Sequence, residues 1–524
     1  MAPVDLEPST SVVPALTRGS HILLAAGLTA IAGRSIFRSY LTLPPSSTTR
    51  HREPLRRGHV KLFSALALLS GVTAMYYGST FAWLSYQVWA GERGIELPNS
   101  FFGDNGAFRG GEHPGRFQLV RWLNDTPLYK DAFEIVAGKA RYFWWGQQAS
   151  LSTLSWSTFL AIEGKRRKIS NLWAFLLLGQ LVSLSYGQNL FFVATLLTPV
   201  PLPDNVTSLT RSSVPATSSR FARLKSKILL AKPDGWLPHP AFYIMPLLVS
   251  LGAVVLTPYS VNSPFFMNIA LLFQALPSIN ILLPYLIPES WGTTHTHPHS
   301  AQKTYTTLFR TISSLSALLH LKSTGMALFY STPSSEYYHP TLLHPLNHEH
   351  RSTLDRSSAA IAKLFGAIGE HPAVSAVGYD VLLSGVSIGL WTAIRSLDPT
   401  DLLSSSIPFV GGNTASSLVE EAKHEPEEES TMVETSPKKR TRGRPKKAEP
   451  LATSNEVRVP KTRRRKQAEP DSAYQPTADE SRIEGDEEAM EDDWEAAALA
   501  WGLISAGGLG LGSCGVFGAE CVAR

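Results

Sequence analysis

Two carboxylates have the type and position to do chemistry in an apolar setting. Asp380 is the only charged residue in the run VGYDVLLSGVSIGLWTAI, and Glu163 closes the apolar segment Tyr142 to Ile162 just before Lys165, Arg166, Arg167 and Lys168. Burying a carboxylate at membrane depth is costly, so such a residue marks proton transfer, transport or pairing. Asp380, about a third of the way into its apolar run, is the stronger catalytic candidate. Its structural alternative is a hydrogen bond or an ion pair to Arg310 or Lys322. For Glu163 the alternative is pairing with the adjacent cations at the interface.

His295, His297 and His299 alternate in WGTTHTHPHS. An extended segment can present such a set to a metal, but the intervening proline and the lack of a fourth ligand favour a polar loop. No metal or cofactor is expected. His320, His339, His344, His348, His350 and His371 offer general bases without triad spacing. The two cysteines, Cys514 and Cys521, fall in the last eleven residues and exclude a disulfide framework.

A third chemistry lies in the basic run Lys438 to Lys447. Its core Arg442-Gly443-Arg444-Pro445 resembles an AT-hook, in which glycine permits close approach to the minor groove of A/T-rich DNA and the arginines enter it. One copy binds weakly and with steep salt dependence. The block 438–466 therefore implies A/T-rich DNA or anionic lipid as partner, with a nuclear-localisation signal as the bland alternative.

The elements that must position these residues are membrane helices. Charge is segregated from apolar sequence, leaving uncharged blocks at 62–91, 142–162, 169–203, 235–288, 381–394 and 496–519. Roughly 20 apolar residues cross a bilayer core, so the expectation is an all-α integral membrane protein, a helix bundle of about 7–9 transmembrane helices. Ser, Pro and blocked charge dominate 396–495, which reads as a disordered loop before the last span. The organisation expected is a basic N-terminal segment at 1–61 with a weak span, a polytopic domain at 62–395, the charged linker at 396–495 and a C-terminal helix at 496–524. The net charge of +5 comes largely from clusters that suit cytosolic flanks.

The firmest span is Ile169 to Pro203, which has no Asp, Glu, Lys or Arg. Its Gln180, Gln188 and Asn189 are expected to face the bundle interior. With Lys165 to Lys168 cytosolic, it delivers Asn205-Val206-Thr207 to the lumen, where the triplet matches a glycosylation site, although six cations follow in the same loop. Parity then fails. Placing Lys165–Lys168 and the 438–466 block on one side needs an even number of crossings, and the count is five. The proline-rich segment at 238–256 and the charged one at 304–332 are the suspects.

The runs RWLNDTPLYKDAFEIVAGKARYFWWGQQASLSTLSWSTFLAIEGKRRKISNLWAFLLLGQLVSLSYGQNLFF, LFRTISSLSALLHLKSTGMALFY and HPAVSAVGYDVLLSGVSIGLW resemble uncharacterised multi-pass proteins of filamentous fungi. More distantly they resemble the membrane-bound terpene cyclases of fungal meroterpenoid pathways. That resemblance covers about 60–400 and implies proton-initiated cyclisation of an epoxidised prenyl chain by a buried carboxylic acid, with aromatics such as Trp144, Trp145, Trp156 and Tyr186 available to a cation. No catalytic motif carries over residue by residue. Two functions follow: an endoplasmic reticulum or nuclear-envelope protein whose basic loop contacts DNA or acidic lipid, and a membrane enzyme acting on a prenyl or other lipid substrate.

Overall fold

A computed structural model of the chain describes residues 13–41, 53–95, 97, 117–198, 236–294, 302–338, 348–407 and 493–522. Asn205, His295, His297, His299, His339, His344, the block 438–466 and its Arg442–Pro445 core lie outside the described residues. The fold is all-α. In chain order the helices are α1 (Val13–Leu41), α2 (Glu53–Glu92), α3 (Leu119–Asp125), α4 (Leu128–Gly138), α5 (Ala140–Arg166), α6 (Leu172–Leu181) and α7 (Leu184–Leu196). They continue with α8 (Pro240–Ser260), α9 (Phe266–Ala275), α10 (Pro277–Leu286), α11 (Gln302–Ser331), α12 (Thr353–Gly366), α13 (Pro372–Arg395), α14 (Pro399–Ser406) and α15 (Trp494–Val522). Two short antiparallel ribbons join loops: β1 (Trp236–Pro238) pairs with β2 (Gly292–Thr294), and β3 (Glu336–Tyr338) with β4 (His348–His350).

Local chemistry explains the boundaries. Pro240 opens α8 and Pro372 opens α13, where a missing N–H costs nothing, and the His371 side chain accepts the Ala373 N–H at the start of α13. Ser352 caps α12 through the Asp355 N–H. Pro277 marks a 50° bend between α9 and α10, whereas Pro246 lies inside α8.

Among the described residues five helices are long and apolar enough to cross a membrane: α1, α2 from Leu55, α8, α13 and α15. Taking the bent pair α9–α10 as one gives six, fewer than the seven to nine expected. The shortfall has a physical cause. The long helices α5 and α11 do not pass on composition; α5 buries Gln147, Gln148, Ser152, Ser155, Ser157 and Thr158. Their buried faces form the polar middle of the bundle. Leu68 and Met75 of α2, Met245 of α8 and Leu321 of α11 are exposed on its outside. The N-terminal segment is likewise more than a weak span, since α1 runs for 29 residues.

The largest departure concerns Ile169 to Pro203. The stretch folds back on itself. α6 and α7 are short antiparallel helices joined at Val182–Ser183, and Gly187 lies directly against the backbone of Phe175 and Gly179. Both ends return to the same level, because Arg167 just before α6 donates to the Thr198 carbonyl just after α7 (3.0 Å). Gln188 and Asn189 are fully buried, as their polarity predicted. α15 does the same. Gly508 breaks it at φ 83°, and Ile504 lies against Gly512 across the break. Asp493 donates to the Ala393 carbonyl (3.1 Å), and Glu520 meets Arg395, so both ends of α15 lie near the end of α13. The C-terminal helix belongs to the same compact unit as 1–411.

Candidate functional site

Glu163 is fully buried, and it belongs to a five-residue ion cluster. Its carboxylate pairs with Arg166 and Arg167, while Glu520 pairs with Arg167 (3.2 Å) and Arg395. The excess of one positive charge faces helix C-termini: Arg167 donates to the Thr198 carbonyl and Arg166 to the Cys521 carbonyl (3.1 Å). The pairing expected at the interface is therefore a buried clamp that ties α5, α7, α13 and α15 at one end. That end, marked by Lys165–Lys168, is called the basic end below.

Asp380 is placed otherwise. Neither Arg310, which donates to the Ser404 carbonyl (2.8 Å), nor Lys322, which lies over the Tyr259 ring (5.1 Å), is its partner. Its Oδ2 accepts the Leu184 N–H (2.8 Å), and its Oδ1 accepts the Ser185 N–H (2.8 Å) and the Ser185 Oγ–H (2.6 Å). A carboxylate thus occupies the N-terminus of α7, where unpaired N–H groups and the helix dipole favour an anion. The tip of the α6–α7 hairpin is fastened on its other side by reciprocal amides: Gln180 Nε2 donates to the Gln274 carbonyl (2.7 Å) and Gln274 Nε2 to the Gln180 carbonyl (2.9 Å). Gln274 lies next to the α9–α10 bend, so two interruptions of helix meet at one depth. His21 of α1 completes the set, with Nδ1 accepting from the Tyr129 hydroxyl (2.7 Å) and Nε2 donating to the Leu181 carbonyl (3.0 Å).

These groups border a cavity of about 900 Å³ walled by α1, α2, α4–α10 and α13. That size suits a drug-sized or lipid-sized molecule. The walls are mainly apolar, with Phe81, Phe133 and Phe143 among them and the exposed Leu68 and Met75 at a mouth that opens on the outside of the bundle, and Tyr186 and Asp380 stand near the tip. The chain matches no family model, no curated protein and no solved structure. The site is therefore read from its own geometry.

The second hairpin has an equivalent arrangement. Gln148 Oε1 accepts the Leu509 N–H (2.7 Å) at the restart of α15, and its Nε2 donates to His320 Nδ1 (2.6 Å). Among the sequence candidates the structure thus brings Asp380 to a cavity, Glu163 to an ion cluster and His320 to a hairpin tip, and brings no two of them together. Among the described residues no group of three His, Cys, Asp or Glu is disposed to hold a metal. His371 lies at the other end of the bundle, next to Glu370. Sequence reasoning missed His21, Gln148, Gln274 and Glu520. Glu520 alone had a signal: it is a carboxylate directly following an uncharged run.

Proposed function

We propose that the chain is an integral membrane protein that binds a long-chain, lipid-like molecule in the central cavity. The observation that carries this reading is the cavity itself, mainly apolar and placed where two interrupted helices meet. Irregular backbone at membrane depth is tolerated only where protein buries it or where it lines a cavity, and discontinuous helices commonly build binding sites there. A membrane enzyme acting on a prenyl or other lipid substrate is the form of this reading in which Asp380 is catalytic. It requires the carboxylate to leave its cap, because both oxygens accept bonds from α7. The test is native mass spectrometry of detergent-purified protein before and after Ala149→Trp, which projects an indole into the cavity. Retained lipid should disappear in the variant, and equal lipid occupancy in a folded variant would sink the reading.

The same geometry supports a topology of seven crossings, by α1, α2, α5, α8, the α9–α10 pair, α11 and α13, with two re-entrant hairpins. Four crossings then separate Lys165–Lys168 from the segment that leaves at Ile407 and returns at Asp493. Both lie on one side, as the positive-inside rule asks. This favours a second reading, in which the 438–466 block on the cytosolic or nucleoplasmic face contacts anionic lipid or A/T-rich DNA through Arg442, Gly443, Arg444 and Pro445. Deleting 438–447 should then abolish chromatin or membrane-surface retention without altering folding.

A further inference from the structure

A second cavity of about 430 Å³ lies between α4, α5, α8 and α11, toward the end opposite Lys165–Lys168. Ala137, Phe143 and Val254 line both cavities, so one layer of side chains separates them. Their chemistry differs. Lys139, Arg141 and Lys322 border the smaller one. Arg141 is paired with Glu370 (2.7 Å), but Lys139 and Lys322 lie over the rings of Tyr142 and Tyr259 and have no carboxylate partner among the described residues. These four groups leave two positive charges in excess. Deeper in, Gln147 lines the cavity at 2% exposure, and its Nε2 has no hydrogen-bond partner among the described residues. A buried N–H donor left unpaired is costly, and a ligand acceptor would relieve it.

The central cavity is shaped for the other end of such a ligand. Its deep polar groups satisfy one another, Asp380 through α7 and Gln180 through Gln274, so an entering chain meets mainly apolar wall. An anion there would face Asp380. Charge and polarity together set an orientation.

We infer that the two cavities hold one molecule, an anionic amphiphile with a single long alkyl or isoprenoid chain. Its carboxylate or phosphate lies against Lys139, Lys322 and the Gln147 amide, and its chain turns the Phe143 ring aside to enter the central cavity. This inference rests on the proposed binding of a lipid-like molecule in the central cavity and adds its headgroup chemistry and direction.

The test is displacement of a pyrene-labelled fatty acid from the purified full chain in neutral detergent by palmitate, lysophosphatidate and the neutral alcohol hexadecanol. Both anions should displace it at concentrations about ten-fold lower than the alcohol, the gap expected from one charge-assisted contact. The stronger of the two anions identifies carboxylate or phosphate as the head. The double variant K139Q/K322Q, altered only at exposed side chains, should close the gap to the alcohol. Shortening the acid from sixteen to eight carbons should weaken displacement. Equal potency of anions and alcohol in the unmodified chain, with both weakened by Ala149→Trp, would overturn the headgroup assignment and leave the cavity reading standing. Saturable binding of none of the three overturns both.

Discussion

Asp380 accepts three hydrogen bonds from the start of α7, each assisted by its charge. Asp380→Asn keeps the shape but turns an amide donor toward backbone donors. It should cost about 2–3 kcal/mol, seen as a lower melting temperature in detergent, whereas Ser185→Ala removes one donor only and should cost about 1 kcal/mol. Equal losses would argue against the capping role. At the end of the bundle opposite Lys165–Lys168, Glu370 and His371 make stability depend on pH. The Arg141 guanidinium bonded to Glu370 holds its carboxyl below the ordinary carboxylate range, so that contribution is complete above the ordinary value and is lost as pH falls through the lowered one. Burial, with Lys139 nearby, holds His371 below the ordinary histidine value, and its Nδ1 accepts the Ala373 N–H (3.1 Å). The unfolded chain therefore takes up that proton first, and stability falls as pH drops from about 6.5 toward the lowered value. A thermal scan from pH 7.5 to 5.5 should show falling melting temperature, and His371→Asn, which keeps a capping acceptor, should make that slope shallower. Asp380 was legible as a buried carboxylate; its partner was not, because backbone N–H groups leave no mark in side-chain sequence.

The α6–α7 hairpin shows how an element can mislead. Ile169 to Pro203 has the length and composition of one crossing, and composition does not distinguish a helix that continues from one that turns back. The turn rests on local details: Ser183 caps α7 through the Tyr186 N–H (3.2 Å), and Gly187 lets two backbones touch. A Cβ at Gly187 would lie 2.7 Å from the Phe175 carbonyl oxygen and 2.8 Å from the Gly179 nitrogen, and neither can move aside. Gly187→Ala should destabilise by about 1–3 kcal/mol. Gly78→Ala in α2, with open space around it, should be neutral or stabilise by about 0.5–1 kcal/mol, as alanine does in a helix. Gly508 plays the matching part in α15. Its φ of 83° suits glycine, and the space a Cβ would take is held by His320 and Gln148. α5 and α11 were visible as helices, but their buried polar faces made sense only once neighbours surrounded them.

At the scale of the molecule, the proposed seven-crossing topology removes the parity conflict through the α6–α7 hairpin without demoting either suspect segment. α8 is apolar enough to cross, and α11, at 30 residues, is long enough to do so with its polar face turned into the bundle. The stretch that seemed the surest crossing is the one that folds back. The seven-crossing topology proposed above predicts no glycan on Asn205, so Asn205→Gln should leave electrophoretic mobility unchanged. Cys514 and Cys521 are buried, so single exposed cysteines can report sidedness. Glu289→Cys and Ser335→Cys should react with an impermeant maleimide from opposite faces of sealed vesicles; labelling from the same face would break the seven-crossing topology. What the sequence by itself determined was class: long uncharged blocks between charged flanks have only one favourable environment, a helix among lipid and other helices. Tertiary structure decided which blocks turn back and which groups Asp380 and Glu163 bond to. Those outcomes depend on backbone groups and on partners distant in sequence, such as Leu184 for Asp380 and Arg395 for Glu520, which periodicity and composition along one chain do not record.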